Sequence, residues 1–376
     1  MAVKSMNIFK TLFGERTRGI AIRMDLLADI YLTTGRMTEA EELLKRSRDL
    51  KLESFGAEDL DALKTTALLA HTLHTQGRHR EAEELRSAVL ETRKKVLRAD
   101  HPDTLAAMHD LGVTYRRQDR LEEAEELLSQ VVDAEKKILG MDHPDTLVAM
   151  NNLAVTYRRQ NRLKEAEEIL SQVADAQKKK LGIGHLETLA TMRHLALTYE
   201  VQGRLKEAEE LLVQGLDAQK KTLGMDHLET LLAMKNLAMI YQSQGRLKEA
   251  EQLQLQVLDR SKRVAGVEFL IIIDTMDNLA QTYSKQNRIE DSAERFKLVL
   301  ELRTKEFGET HPTTLMSVRN LALERRRQHR YDEAMALMKK YVQLGKVTLG
   351  QYHFEIINSS KALIHWELES KIPRYS

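Results

Sequence analysis

Residues 101–142 read HPDTLAAMHDLGVTYRRQDRLEEAEELLSQVVDAEKKILGMD, and residues 143–184 read HPDTLVAMNNLAVTYRRQNRLKEAEEILSQVADAQKKKLGIG. Laid over one another without a gap, they agree at 30 of 42 positions. The same opening returns as His185-Leu186-Glu187-Thr188-Leu189, as His227 to Leu231 and as His311-Pro312-Thr313-Thr314-Leu315, always in register. An arginine marks the middle of each unit, at Arg36, Arg78, Arg120, Arg162, Arg204, Arg246, Arg288 and Arg330. The chain therefore reads as eight 42-residue units over 17–352, flanked by an N-terminal half repeat at 1–16 and a C-terminal capping helix at 353–376. A strict period of this length marks stacked supersecondary units, in which each copy buries its apolar face only against its neighbours.

Within a unit, Leu105, Met108, Leu111, Gly112 and Tyr115 follow helical spacing, as do Leu121, Ala124, Leu128, Val131 and Ile138. Each unit thus predicts two helices, A and B. Pro102 and Asp103 suit the first turn of helix A, where a missing N–H costs nothing and an acid meets the positive end of the dipole. Gly35, Gly77, Gly203 and Gly245, with Asp119, Asn161 and Asn287, fall at the turn between helices, where a left-handed cap is tolerated. Helix B opens on Glu122, Glu123, Glu125 and Glu126 and closes on Lys136 and Lys137, again matching its dipole. Gly112, Ala154, Ala196 and Ala238 are expected to let helix A approach helix B closely, with Tyr115, Tyr157, Tyr199 and Tyr241 filling the space beside them. Met24, Met108, Met150, Met192 and Met234, at one helix A position, read as core filler. The expected fold is all-α, an α-solenoid coiled into a right-handed superhelix of tandem helix-turn-helix units.

Composition excludes several classes of function. Lys+Arg 58 against Asp+Glu 57 gives a formal net charge of +1, which argues against bulk attraction to nucleic acid or an anionic membrane. With Cys 0, no disulfide framework, cysteine-held zinc or thiol nucleophile is possible, and a reducing, cytoplasmic location is expected. The longest wholly apolar run, Phe269 to Ile273, falls far short of the ~20 residues of a membrane span. Lys10 interrupts the only apolar stretch near the start, so no secretory signal is expected.

The spacing Met108-x2-Leu111-Gly112-x2-Tyr115, followed by Ala124-x3-Leu128, resembles the tetratricopeptide repeat, with methionine where tryptophan usually stands. The 42-residue period, the Asp-His-Pro-Asp-Thr-Leu opening at 142–147, Asn151 to Ala154 and the Leu-Gly closing helix B make it similar to the array of kinesin light chains. The resemblance implies a non-catalytic scaffold or adaptor whose partner lies on the concave helix A surface.

No Gly-x-Ser-x-Gly, P-loop, Gly-x-Gly-x-x-Gly or His-Glu-x-x-His occurs, so no catalytic residue, cofactor or metal site is expected. His101, His143, His185, His227 and His311 sit one per repeat, too far apart to share an ion at ~2 Å, and read as residues that start helix A. His71, His74 and His79 are closer together, but no carboxylate accompanies them at ligand spacing. Taking Leu111 and Tyr115 as inward, the groove face carries Arg116, Arg117, Arg158, Arg159 and Arg193, with a second set at Arg319, Arg326 and Arg327. A guanidinium binds carboxylate or phosphate at two points and is weakly hydrated. The alternative is that these are solvated ends of helix A, where cations oppose the dipole. Asn152 and Asn236, with Asn278 and Asn320, form a ladder one step before the core leucine. An amide pairs with both halves of a peptide unit, and the family resemblance implies a backbone clamp; a hydrogen bond between helices is the alternative.

The function expected is a protein-protein interaction scaffold that holds an extended, acidic peptide against Arg116, Arg117, Asn152, Arg158, Arg159, Arg193 and Asn236. Partners are proteins with an acidic segment, not nucleic acid or membrane, and the chain itself is expected to be a monomer or weak homo-oligomer. Two rivals differ in kind: an enzyme or small-molecule sensor built on Glu200, His194 and Arg193 in an enclosed cavity, and a self-associating structural array. Unit seven departs from the pattern with Phe269-Leu270-Ile271-Ile272, expected to pack, and with Asp274 and Asp277 in the groove.

Overall fold

The computed structural model describes residues 18–263, 269–348, 350 and 353–370. Seventeen helices and no strand occur among them. The half repeat expected at 1–16 and the end of the cap beyond Ser370 lie outside the described residues, as does the side chain of Phe269.

The chain divides into two compact units, Met1–Lys180 and Leu181–Ser376. The first holds α1 (Arg18–Thr33), α2 (Met37–Phe55), α3 (Leu60–Thr75), α4 (His79–Val96), α5 (Pro102–Arg117), α6 (Leu121–Ile138), α7 (Pro144–Arg159) and α8 (Leu163–Leu181), whose last residue crosses the boundary. The second holds α9 (Leu186–Val201), α10 (Leu205–Thr222), α11 (Leu228–Ser243), α12 (Leu247–Ser261), α13 (Phe269–Lys285), α14 (Ile289–Phe307), α15 (Pro312–Arg327), α16 (Tyr331–Thr348) and α17 (Phe354–Ser370). Odd-numbered helices up to α15 are the A helices of the eight repeats, and even-numbered ones are the B helices. Successive helices from α1 to α7 and from α9 to α17 pack on one another, and α5 also touches α7, as α9 touches α11 and α11 touches α13. Within each unit the A helices therefore share one layer, backed by the B helices, in the stacked pattern of a solenoid.

Local chemistry explains the regularity. The imidazole Nδ1 of His101 accepts the backbone N–H of Asp103 at 3.1 Å, and His143, His185, His227 and His311 do the same for the residue two places on. Each recurring histidine is thus an N-cap that satisfies an orphan donor of its A helix. At the A–B turn Asn161 takes φ 63°, and Asp119 and Asn287 are also left-handed, as the residue types imply. Ala124, Ala166, Ala208 and Ala250 are wholly buried where helix B meets helix A. Gly112 allows a close approach of α5 to α6: a Cβ there would stand 2.9 Å from Leu128 Cγ. The methionines at 24, 108, 150, 192 and 234 lie in the core, 1–4% exposed.

The mid-repeat arginine clamps consecutive repeats. The Arg120 guanidinium lies 4.1 Å above the Tyr115 ring, donates to Glu123 in the first turn of α6 and reaches back to Glu83 Oε1 of α4 at 2.5 Å. Arg162 repeats this over Tyr157 with Glu125, Arg246 over Tyr241 with Glu209, and Arg288 over Tyr283 with Glu251. These arginines are therefore occupied and offer nothing to a partner.

Candidate functional site

The C-terminal ends of α5 and α7 bring Arg116, Arg117, Arg158 and Arg159 together in the first unit. Burial, followed by the charges of Arg117, Arg159 and Arg158, pushes the Arg116 guanidinium down to about 10. The charges acting on Arg116 are thus all those of other cations. A guanidinium stays charged at neutral pH, so the cluster holds repulsion that an incoming anion relieves.

The four side chains are not equivalent. Arg116 Nη2 donates to Asn152 Oδ1 at 3.1 Å, while its Nε is buried without a hydrogen-bond partner. Arg117 is exposed and Arg158 half-buried. Arg159 Nη1 donates to the Arg116 carbonyl and Nη2 to Asp119 Oδ1 at 3.0 Å, so it closes the end of α5 and ties repeat four to repeat three. Asn152 also spends its amide inside the array. Its Nδ2 donates to the Val148 carbonyl at 3.1 Å and lies 3.0 Å from His109 Nε2. In the free chain Asn152 orients Arg116.

Behind this face stands a residue the periodic reading passed over. Arg86 occupies the helix B position held by Leu44, Leu128 and Leu170, and is 4% exposed. It donates to the Asp110 carbonyl at 2.8 Å and to Thr114 Oγ1, crossing from α4 to α5. Burial pushes the Asp110 carboxyl up, but a hydrogen bond from His109 and the charge of Arg86 outweigh this and hold it below the ordinary range. Burial, then the charges of Arg86, His79 and Arg117, push His74 down to about 4. His74 and His79 therefore lie in a positive field that opposes a metal ion, and among the described residues no group of three or more ligands is placed to hold one. The break in the leucine column at Arg86 was the available signal.

In the second unit Arg193 and Asn236 line one cleft with Leu189, Gly215, Gln219 and Glu229. Its enclosed volume of about 20 Å³ has room for a single water. Asn236 Nδ2 and Gln219 Oε1 are both buried there without a hydrogen-bond partner, a donor and an acceptor for one bridging group. Gly215 stands where Val131, Val173 and Val257 stand in other repeats, and the missing side chain leaves the space. Of the three residues considered for a sensor, Arg193 lines this cleft, whereas Glu200 accepts from Ser243 Oγ at 2.8 Å.

The second arginine set of the sequence reading is only partly available. Arg326 pairs with Glu369 and lies 4.5 Å from the Trp366 ring, which fixes α17. Arg327 donates to Ser284 Oγ at 2.7 Å, Asn287 Oδ1 at 2.9 Å and Glu324. Asp274 and Asp277 of α13 face Arg303 at 3.3 and 3.4 Å. The apolar opening of repeat seven packs only in part: Ile271 is buried and Ile272 lies against Leu258 and Leu279, whereas Leu270 is 46% exposed.

A family model described as tetratricopeptide repeat matches residues 61–137, 114–179, 187–263 and 271–346. The chain belongs to the tetratricopeptide repeat family. Solved structures similar to this tetratricopeptide array include a putative kinesin light chain of Podosopora anserina with nearly identical TPR-like repeats, 36% identical over 54% of this chain and 95% of that one, TM-score 0.49. A tetratricopeptide repeat protein of Parabacteroides merdae is 17% identical over 81% of this chain and 98% of that one, TM-score 0.52. The apo form of RapI is 12% identical over 76% of this chain and 98% of that one, TM-score 0.59. No curated protein gave a match. The tetratricopeptide repeat fold generally mediates protein–protein interaction, and proteins built from it are typically non-enzymatic scaffolds. Among the described residues no helix is long and apolar enough to cross a membrane.

Proposed function

We propose that this tetratricopeptide array is a non-catalytic, cytoplasmic adaptor that holds an extended acidic peptide segment of a protein partner. The observation that carries the reading is the cluster of Arg116, Arg117, Arg158 and Arg159, in which the charges acting on Arg116 are three further arginines. A carboxylate or phosphate relieves that repulsion and gains two-point hydrogen bonds from a planar fork. In this reading Asn152 presents Arg116, and Arg159 keeps the end of α5 in place. Arg193 and Asn236 give the second unit its own polar contact, where a water satisfies Asn236 Nδ2 and Gln219 Oε1.

The test is affinity capture from native lysate with the wild-type array beside an R116E/R117E/R158E/R159E variant of unchanged thermal stability, bound proteins being identified by mass spectrometry. The reading expects a set of proteins, each with an acidic segment, that is lost on the variant. The same proteins on both arrays would remove the basic cluster from the function. Sedimentation across a range of concentrations checks the accompanying expectation of a monomer or weakly associating chain.

A further inference from the structure

The opposite end of the same repeat pair carries the opposite charge. A cleft of about 320 Å³ lies between the start of α5, the end of α6 and the start of α7, with Asp100, Asp103, Asp145, Glu135 and His109 around it. Leu105, Ile138 and Val148 supply its apolar wall. Glu135 is 9% exposed, and its Oε2 is buried with no hydrogen-bond donor. A buried carboxylate oxygen left unpaired is costly, and a cation arriving from outside would remove that cost.

Register in the repeat strengthens the point. The helix B position of Glu135 is Lys51 in repeat one, Arg93 in repeat two and Arg303 in repeat seven. Each of these cations reaches across to the next helix A. Lys51 Nζ bonds Asp25 Oδ2 at 2.6 Å and Thr65 Oγ1 at 2.7 Å, Arg93 Nη1 bonds the Asp103 carbonyl at 2.7 Å, and Arg303 Nη1 bonds Ser317 Oγ at 2.8 Å. Repeat three reverses the sign at that position. His109 replaces the aspartate of repeats one and seven, and Ala149 replaces the Thr65 or Ser317 hydroxyl. The place that other repeats fill with their own cation is here an acid without one.

We infer that the Glu135 cleft receives a lysine or arginine side chain of the bound peptide, its methylenes along Leu105, Ile138 and Val148 and its charge between Glu135 and the aspartates. Burial first, then the neighbouring Asp145 charge, pushes the Glu135 carboxyl up against the smaller opposing pull of His109 and His143, and a cation from outside opposes burial and Asp145 alike. A divalent metal is the poorer occupant, because the described residues offer no cluster of ligands placed to hold one. The inference rests on the peptide-groove reading and sharpens it. Thirteen positions of α5 separate Asp103 from Arg116, about 20 Å at ~1.5 Å per residue. An extended chain covers that in about six residues at ~3.3 Å each, so the matching peptide carries a basic residue about six positions from its acidic stretch.

The probe is N-acetyl-lysine methylamide, titrated into the full chain with methyl NMR of Leu105, Ile138 and Val148 as the readout and N-acetyl-norleucine methylamide as the uncharged control. The expected result is saturable shifts with the lysine probe alone, lost in Glu135→Gln. Gln177 and Gln219 fill this position in the next two repeats, so that variant has a folded precedent in the chain itself. No saturable shift, equal shifts with norleucine, or shifts retained in Glu135→Gln each overturn the inference. Because the probe has no carboxylate, failure here leaves the arginine reading standing, and failure of acidic-peptide binding leaves this result standing.

Discussion

Repeats four and eight place arginines at identical register, Arg158 with Arg159 and Arg326 with Arg327. In repeat eight the chain supplies the counter-charges. Glu369 of α17 takes Arg326, and Glu324, Ser284 and Asn287 take Arg327. In repeat four Arg159 has the matching contact to Asp119, but Arg116 beside it feels Arg117, Arg158 and Arg159 and no acid. Arg326 is structural because an acid has been provided, and Arg116, at the same register in repeat three, is available because the charges around it are cations. Position in the repeat sets where a side chain points, and the neighbouring repeat decides whether it is spent.

The comparison breaks first at the arginine that ought to be wholly structural. Arg86→Ala should cost about 3 kcal/mol in urea unfolding, because it removes the bridge from α4 to the Asp110 carbonyl and Thr114 and leaves a cavity in the leucine column. Arg86→Leu restores the leucine column and should recover most of that loss. Equal destabilisation by both would show that the charge, not the volume, holds α4 to α5.

Acid tests the positive field in the first unit. His74 is held near 4 in the fold against an ordinary value of 6.5. Its contribution to stability is therefore complete above about pH 6.5 and is lost as pH falls towards 4, on the order of 2 kcal/mol. His74→Gln should flatten that part of the stability profile; an unchanged slope would place the acid sensitivity elsewhere.

Arg326→Ala should loosen the cap by about 1 kcal/mol through loss of its ion pair and its place over Trp366. Faster amide exchange confined to α17, with acidic-peptide affinity unchanged, is the expected pattern. Weaker peptide binding would mean that repeat eight is not as self-contained as its pairing implies. The smallest change is expected from Arg159→Ala, about 0.5 kcal/mol, because its partner Asp119 is largely exposed.

The helices, their turns and their close contacts were legible because each depends on residues within a few positions: Asn161 at a left-handed turn, Ala124 and Ala166 at the A–B contact, Pro102 at a helix start. The loop histidines were legible as starting residues, though not as imidazole caps, since an N-cap role for histidine is uncommon among residue types. The candidate site was legible only in part. Arg116, Arg117 and Arg158 were found by projecting helix A onto a groove. That Asn152 is engaged by Arg116 and His109, and that Arg159 is tied to Asp119, depends on side-chain geometry between repeats. Arg86 and Glu135 were passed over because the search sought recurrence, and each acts by departing from it. A column that runs Lys51, Arg93, Glu135, Gln177, Gln219, Ser261, Arg303 is a signal in its own right, since a buried polar position that changes sign must change partner too.

The central claim is that repeats three and four bind acid while repeat eight, with the same arginines, does not. Fluorescence anisotropy of a labelled peptide alternating Asp and Gly, titrated with wild type, R116E/R158E and R326E at low and near-physiological salt, addresses it directly. The account predicts at least about a tenfold loss for R116E/R158E, or ~1.4 kcal/mol, binding that weakens as salt rises, and wild-type affinity for R326E. Equal affinity for wild type and R116E/R158E, or an equal loss in R326E, would contradict it.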